Sequence, residues 1–139
     1  MSIKIKITKG SCKDMEDTNK VVKVVLVNEN NEVLLLTRSK NLLKFAGDLD
    51  LPGGHIKENE SEIKGLKREV KEETDLDISN PQYHSSIDNI SFFWEKYNSQ
   101  PVKISDEHSD YGFYSSKKLN KGEKFQKIAL EVLKKYFND

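Results

Sequence analysis

Residues Gly54 to Leu76 read "GHIKENESEIKGLKREVKEETDL", and the spacing inside this stretch decides how its surroundings are organised. Past Ser61, the residues Ile63, Leu66 and Val70 recur at intervals of three and four, which predicts a helix with a narrow apolar stripe facing the core. Ser61 suits its N-cap, because a serine oxygen accepts from one of the unpaired N–H groups of the first turn. Glu69, Glu72 and Glu73 then share an arc of roughly 100° beside that stripe. They repel one another there. They also sit near the helix C-terminus, where the aligned peptide dipoles already disfavour carboxylates. Two readings follow: an acidic face dissolved in water and eased by Lys64, Lys67 and Lys71, or a site that needs negative charge.

Upstream, "LDLPGGH" places Pro52 and two glycines where regular structure should stop before the helix, after a loop from Ser39 to Asp50. Further back, "VVKVVLV" (Val21–Val27) reads as a buried strand because its β-branched residues are nearly continuous. "NENNE" (Asn28–Glu32) reads as a turn and "VLLLTR" (Val33–Arg38) as a returning strand, together a hairpin. "IKIKI" (Ile3–Ile7) alternates as a half-exposed strand does. Downstream, "YHSSID", "ISFFWEKY" and "YGFY" (Tyr111–Tyr114) read as strands, with Phe92 and Trp94 on one face and Phe93 on the other. Glu123–Phe137 carries Phe125, Ile128, Ala129, Val132, Leu133 and Tyr136 at helical spacing, so a C-terminal amphipathic helix is expected, its lysines facing solvent. Strands with one helix among them and one at the end predict a layered α/β domain with a mixed sheet.

The chain has 139 residues, and 23 basic groups balance 23 acidic ones. That length fits one domain, 1–139, and the zero net charge gives no long-range attraction to nucleic acid or an anionic membrane. The single cysteine, Cys12, allows no internal disulfide, in keeping with a reducing, cytoplasmic setting. No apolar run approaches the roughly 20 residues of a membrane span.

Taken whole, Gly54, then five residues, Glu60, then seven, then Arg68-Glu69-Val70-Lys71-Glu72-Glu73-Thr74-Asp75-Leu76, resembles the signature box of the Nudix hydrolases. Its pattern is Gly-x5-Glu-x7-Arg-Glu-apolar-x-Glu-Glu-x-Gly-apolar. Each defining position matches except the last glycine, here Asp75, where a left-handed helix end is usual and aspartate is tolerated at up to about 1 kcal/mol. The resemblance implies a Nudix-type α/β/α sandwich with a mixed sheet, and a metal-dependent pyrophosphohydrolase. It makes Glu69, Glu72 and Glu73 the ligands of Mg²⁺, or Mn²⁺, joined by the backbone carbonyl of Gly53. A hard cation takes such oxygen donors and cancels their repulsion. Glu72 and Glu73 then count among the catalytic residues, as does Arg68, whose planar fork would hold Glu60. Gly54 lets the loop pass close to the helix.

Outside the box, Glu107 in "SDEHSDYGFY" is a candidate base or extra ligand, with Asp106, His108 and Asp110 as rivals and a box glutamate as an alternative base. The segment resembles the corresponding region of Nudix enzymes acting on dinucleoside polyphosphates. The expected activity is therefore cleavage of a nucleoside diphosphate linked to another moiety, with dinucleoside polyphosphates first. ADP-ribose, FAD- or NAD-type dinucleotides, nucleoside triphosphates and RNA 5′ ends stay open, charge giving no support to the last. A non-catalytic nucleotide-binding domain is the alternative of another class, and the intact set of box glutamates counts against it. Arg38, Tyr83, Trp94 and Tyr111 are candidate substrate contacts. His55 and His84 read as structural or surface residues. The partner implied is a small nucleotide; homodimerisation stays open.

Overall fold

The structure, a computed structural model, describes residues 17–40 and 47–139. The strand expected at Ile3–Ile7, Cys12 and the middle of the Ser39–Asp50 loop lie outside the described residues. Among the described residues, seven strands form one mixed sheet with two α-helices: β1 (Asp17–Val27), β2 (Val33–Arg38), β3 (Leu49–Asp50), β4 (Gly53–Lys57), α1 (Glu62–Thr74), β5 (Gln82–Ile87), β6 (Ile90–Lys96), β7 (His108–Tyr114) and α2 (Lys124–Phe137). A short 3-10 turn at Ser116–Lys118 precedes α2.

β1 is the axis of the sheet. It runs parallel to β6 from Val21 opposite Ile90 to Val27 opposite Lys96. On its other edge it meets two strands in succession, β4 along its first half and β2 only at Val27 opposite Val33. β2 then leaves β1 to pair with β3 and β7. The period of two sends Val22, Val24 and Leu26 to one face, against Leu66 and Val70 of α1. Val25 and Val27 go to the other, with Ile128, Ala129, Val132 and Leu133 of α2. A helix on each face makes the α/β/α sandwich that the sequence predicts.

Local details set the site. Ser61 caps α1 by accepting from the Lys64 N–H at 3.1 Å. Asp75 ends the helix in the left-handed region, φ 62°, with its N–H on the Lys71 carbonyl. Phe92 and Trp94 face the α2 core and Phe93 the α1 core, as alternation predicts. Two expectations are corrected. Ile63 is 36% exposed, so the apolar stripe of α1 rests on Leu66 and Val70. The glycines after Pro52 do not end regular structure; Gly53 opens β4, opposite Lys23. The reason is a close approach: φ is 135° at Gly53, and a Cβ there would lie 2.0 Å from the Val22 carbonyl oxygen. Only glycine fits, and it fits as a strand residue.

Candidate active site

α1 and β4 present the box residues to one another across Gly54. A Cβ at Gly54 would fall 2.5 Å from Glu69 Oε1, so the missing side chain is the space the carboxylate occupies. Arg68 grips Glu60 with both arms of its fork, Nε donating to Oε2 at 2.8 Å and Nη2 to Oε1 at 3.0 Å. Arg68 also donates to the His55 carbonyl at 3.1 Å, to Glu69 at 3.0 Å and to Glu72 at 3.3 Å. The guanidinium holds the Glu60 carboxyl below its ordinary value.

Glu73 turns inward and accepts from the Gly53 N–H at 2.9 Å. Burial pushes its carboxyl up to about 8, against the pull of Lys23 and of that N–H. Burial raises Glu69 too, with Arg68 opposing. Buried carboxylates under this pressure are short of positive charge. The donors are all oxygens, which is the chemistry of a hard divalent cation. As they stand, no three His, Cys, Asp or Glu side chains among the described residues converge on one ion position. Glu72, 57% exposed and held by the longest Arg68 contacts, is the carboxylate with room to swing.

A second group of charges, of which the sequence singled out Arg38 and His108 but not Lys23 or Asp50, lies on the inner side of Gly53. Lys23, buried on β1, donates to Asp50 Oδ1 at 3.1 Å and to the carbonyls of Leu51 at 3.1 Å and Gly53 at 3.2 Å. Arg38 Nη1 reaches Asp50 Oδ2 at 3.3 Å. His108 Nε2 stands 3.8 Å from the same oxygen, an ion-pair distance beyond hydrogen-bond length, and neither His108 ring nitrogen makes a hydrogen bond among the described residues. Burial works to raise the Asp50 carboxyl, but His108, Lys23 and Arg38 together hold it below its ordinary value. The signal in the sequence was a lone lysine inside an apolar strand.

A cavity of about 700 Å³ joins these groups. Asp50, Glu69, Glu73, Glu107 and Arg38 line it, with Val21, Leu49, Ile90, Lys124 and Phe125 also on its walls. Arg68, Glu72, Lys57 and Ser105 line a smaller cavity of about 450 Å³, which shares Glu69, Glu73 and Glu107 with the first. These three acids therefore stand between the two spaces. Of the sequence candidates, Arg38, Gly53, Gly54, Glu69, Glu73 and Glu107 meet in the larger cavity and Arg68 and Glu72 in the smaller, while Glu60 backs Arg68.

Tyr83, Trp94 and Tyr111 are not brought there. Tyr83 is exposed on β5, edge-on to Phe93; Trp94 stacks on Tyr136 at 4.6 Å beneath α2; Tyr111 is exposed on β7. Alternation told which face each aromatic takes but not how far it lies from Gly53. Phe125, read from the sequence as part of a core stripe, is the aromatic on the cavity wall. Of the rivals of Glu107, Asp106 and Asp110 are exposed and His108 is buried. His84 bonds Tyr136 and Glu131 of α2, and His55 is exposed on β4 beside the cavity.

A family model described as the NUDIX domain matches residues 17–133. Nudix hydrolase 5 of Arabidopsis thaliana is 34% identical over 71 residues, covering 51% of this chain and 24% of that protein. The match thus spans a minor part of that relative. The MutT protein from Methanosarcina mazei Go1 is similar in structure, with a TM-score of 0.66 at 29% identity over 86% of this chain and 94% of that one. An Ap4A hydrolase of C. elegans shares the fold, with a TM-score of 0.71 at 19% identity over 86% and 98% of the two chains. No helix among the described residues is long and apolar enough to cross a membrane.

Proposed function

The chain belongs to the NUDIX domain family, and on that premise we propose that it hydrolyses a phosphoanhydride bond in a nucleoside diphosphate linked to another moiety, with a dinucleoside polyphosphate as substrate. The supporting observation is the place of Glu107: its segment "DEHSDYGFY" brings it to the cavity wall shared with Glu69 and Glu73. Glu69, Glu72 and Glu73 would hold a divalent cation, Mg²⁺ or Mn²⁺. When bound, it supplies charge neutralisation on the phosphates and acidifies water.

The chain's own groups do the rest. Arg38 and Lys124 hold phosphate oxygens from the larger cavity, and Val21, Leu49, Ile90 and Phe125 give a base an apolar wall. Arg68, locked on Glu60, keeps the α1 carboxylates in place. Glu107 takes the proton of the attacking water as its oxygen bonds to phosphorus. The anhydride P–O bond breaks, and its electrons leave with the departing phosphate. The experiment is a panel of nucleotides incubated with Mg²⁺ and the products identified by mass. Diadenosine tetraphosphate should turn over fastest. Faster turnover of ADP-ribose or a nucleoside triphosphate would remove the substrate assignment, and an inert panel would remove the activity.

A further inference from the structure

Lys23 sits where the resemblance expects a metal contact. An ammonium has three N–H donors, and here all three are used: Asp50 Oδ1 at 3.1 Å, the Leu51 carbonyl at 3.1 Å and the Gly53 carbonyl at 3.2 Å. None is left for a substrate phosphate. The side chain is 8% exposed and its Asp50 partner 4%, with the Phe125 ring centroid 5.6 Å from the nitrogen. Gly53 is equally fixed, since its backbone lies against Val22 and its N–H is spent on Glu73.

We propose that Lys23 is a built-in cation standing in for a divalent ion at the Gly53 carbonyl, so that the ions this chain binds are held by the α1 glutamates without that carbonyl. The inference rests on the metal-dependent reading above and narrows its ligand set. An ion on the Gly53 oxygen would lie about 2.1 Å from it. The Lys23 nitrogen is 3.2 Å from the same atom. Two cations would then be at most about 5 Å apart in a buried corner where water screens little. Asp50 cannot absorb the excess, being shared already among Lys23, Arg38 and His108. Nor can Lys23 withdraw without giving up its bonds to Asp50 and to both carbonyls at once. Lys23 is thus a positioning residue: it sets the Gly53 peptide whose N–H in turn orients Glu73.

The test counts bound Mn²⁺ by electron paramagnetic resonance in the native chain, in Lys23→Met and in Lys23→Met/Asp50→Asn, the double change removing both charges in case the single variant fails to fold. One additional ion, or at least tenfold tighter binding of the last one, is expected in a folded variant. Equal stoichiometry and affinity would overturn the inference while leaving the metal-dependent reading intact. A native chain that binds no Mn²⁺ would overturn both. Independently of any variant, the Gly53 carbonyl ¹³C resonance of the native chain should hold its position at saturating Mg²⁺, and a coordination shift there would also overturn it.

Discussion

Two charged networks flank the Gly53–Gly54 stretch, one on each side, and they are built differently. The outer one centres on Arg68, with Glu60, Glu69 and Glu72; its arginine is 24% exposed and Glu72 57%. The inner one centres on Asp50, with Lys23, Arg38 and His108, and its acid is 4% exposed. In the outer network one cation serves three acids, so negative charge is left over. In the inner, two cations and a histidine converge on one acid. Surplus near water suits binding an ion; closure in the interior suits holding the backbone still.

The widest separation between the networks should appear in activity. Removing divalent ions with a chelator should abolish hydrolysis, and Glu72→Gln should lower kcat by about 100-fold or more at nearly unchanged melting temperature. Full activity in chelator would place the chemistry elsewhere. Glu107→Gln should cost about 100-fold in kcat with KM little changed; an intact kcat would remove Glu107 from proton transfer. In stability the order reverses. Lys23→Met takes the more deeply buried of two cations from the Asp50 carboxylate and should cost about 3 kcal/mol in urea unfolding, whereas Arg68→Gln, at a more exposed network, should cost about 1 to 2 kcal/mol. Equal costs would erase the distinction.

A smaller effect concerns pH. Burial raises Glu73 from 4.5 to about 8, so between those values the folded state binds more protons than the unfolded one. Stability of the metal-free chain should therefore fall as pH rises through that window. The depressed carboxyls of Asp50 and Glu60 act at lower pH, contributing stability above their ordinary range and losing it as pH falls. Thermal unfolding from pH 5 to 9 should show the decline, and Glu73→Gln should flatten it. A melting temperature that climbs between pH 5 and 8 would contradict the assignment. Smallest of all, Lys71→Ala breaks only exposed pairs with Asp75 and Asp77 and should change stability by less than about 0.5 kcal/mol.

The outer network was legible in the sequence and the inner was not, for a physical reason. Glu60, Arg68, Glu69, Glu72 and Glu73 lie on or beside one helix, where spacing converts directly into neighbourhood. Lys23, Arg38, Asp50 and His108 come from four strands, and only the registers of β2 against β3 and β7 and of β1 against β4 bring them together. Period two identified the faces of β6 correctly. It carried no information on which strand pairs with which, so Tyr83, Trp94 and Tyr111 were expected at a cavity they do not reach. The reading of Gly53 failed in an instructive way: glycine was treated as a breaker, whereas here its lack of a side chain lets two backbones touch. Ile63 shows the limit of a helical stripe, since at 36% exposure it lies off the buried side that Leu66 and Val70 share.

The central place of β1 has a consequence for how the molecule comes into being. Its turn to β2 joins neighbours in sequence, Asn28 to Glu32, and can close quickly. Its partners β4 and β6 arrive from far along the chain, Lys23 meeting Gly53 and Val21 meeting Ile90. Such distant pairings carry the larger loop-closure cost and form slowly. A refolding chain is therefore expected to close its hairpin before it builds a place for its cation, an order that pulse-labelled hydrogen exchange during refolding would test.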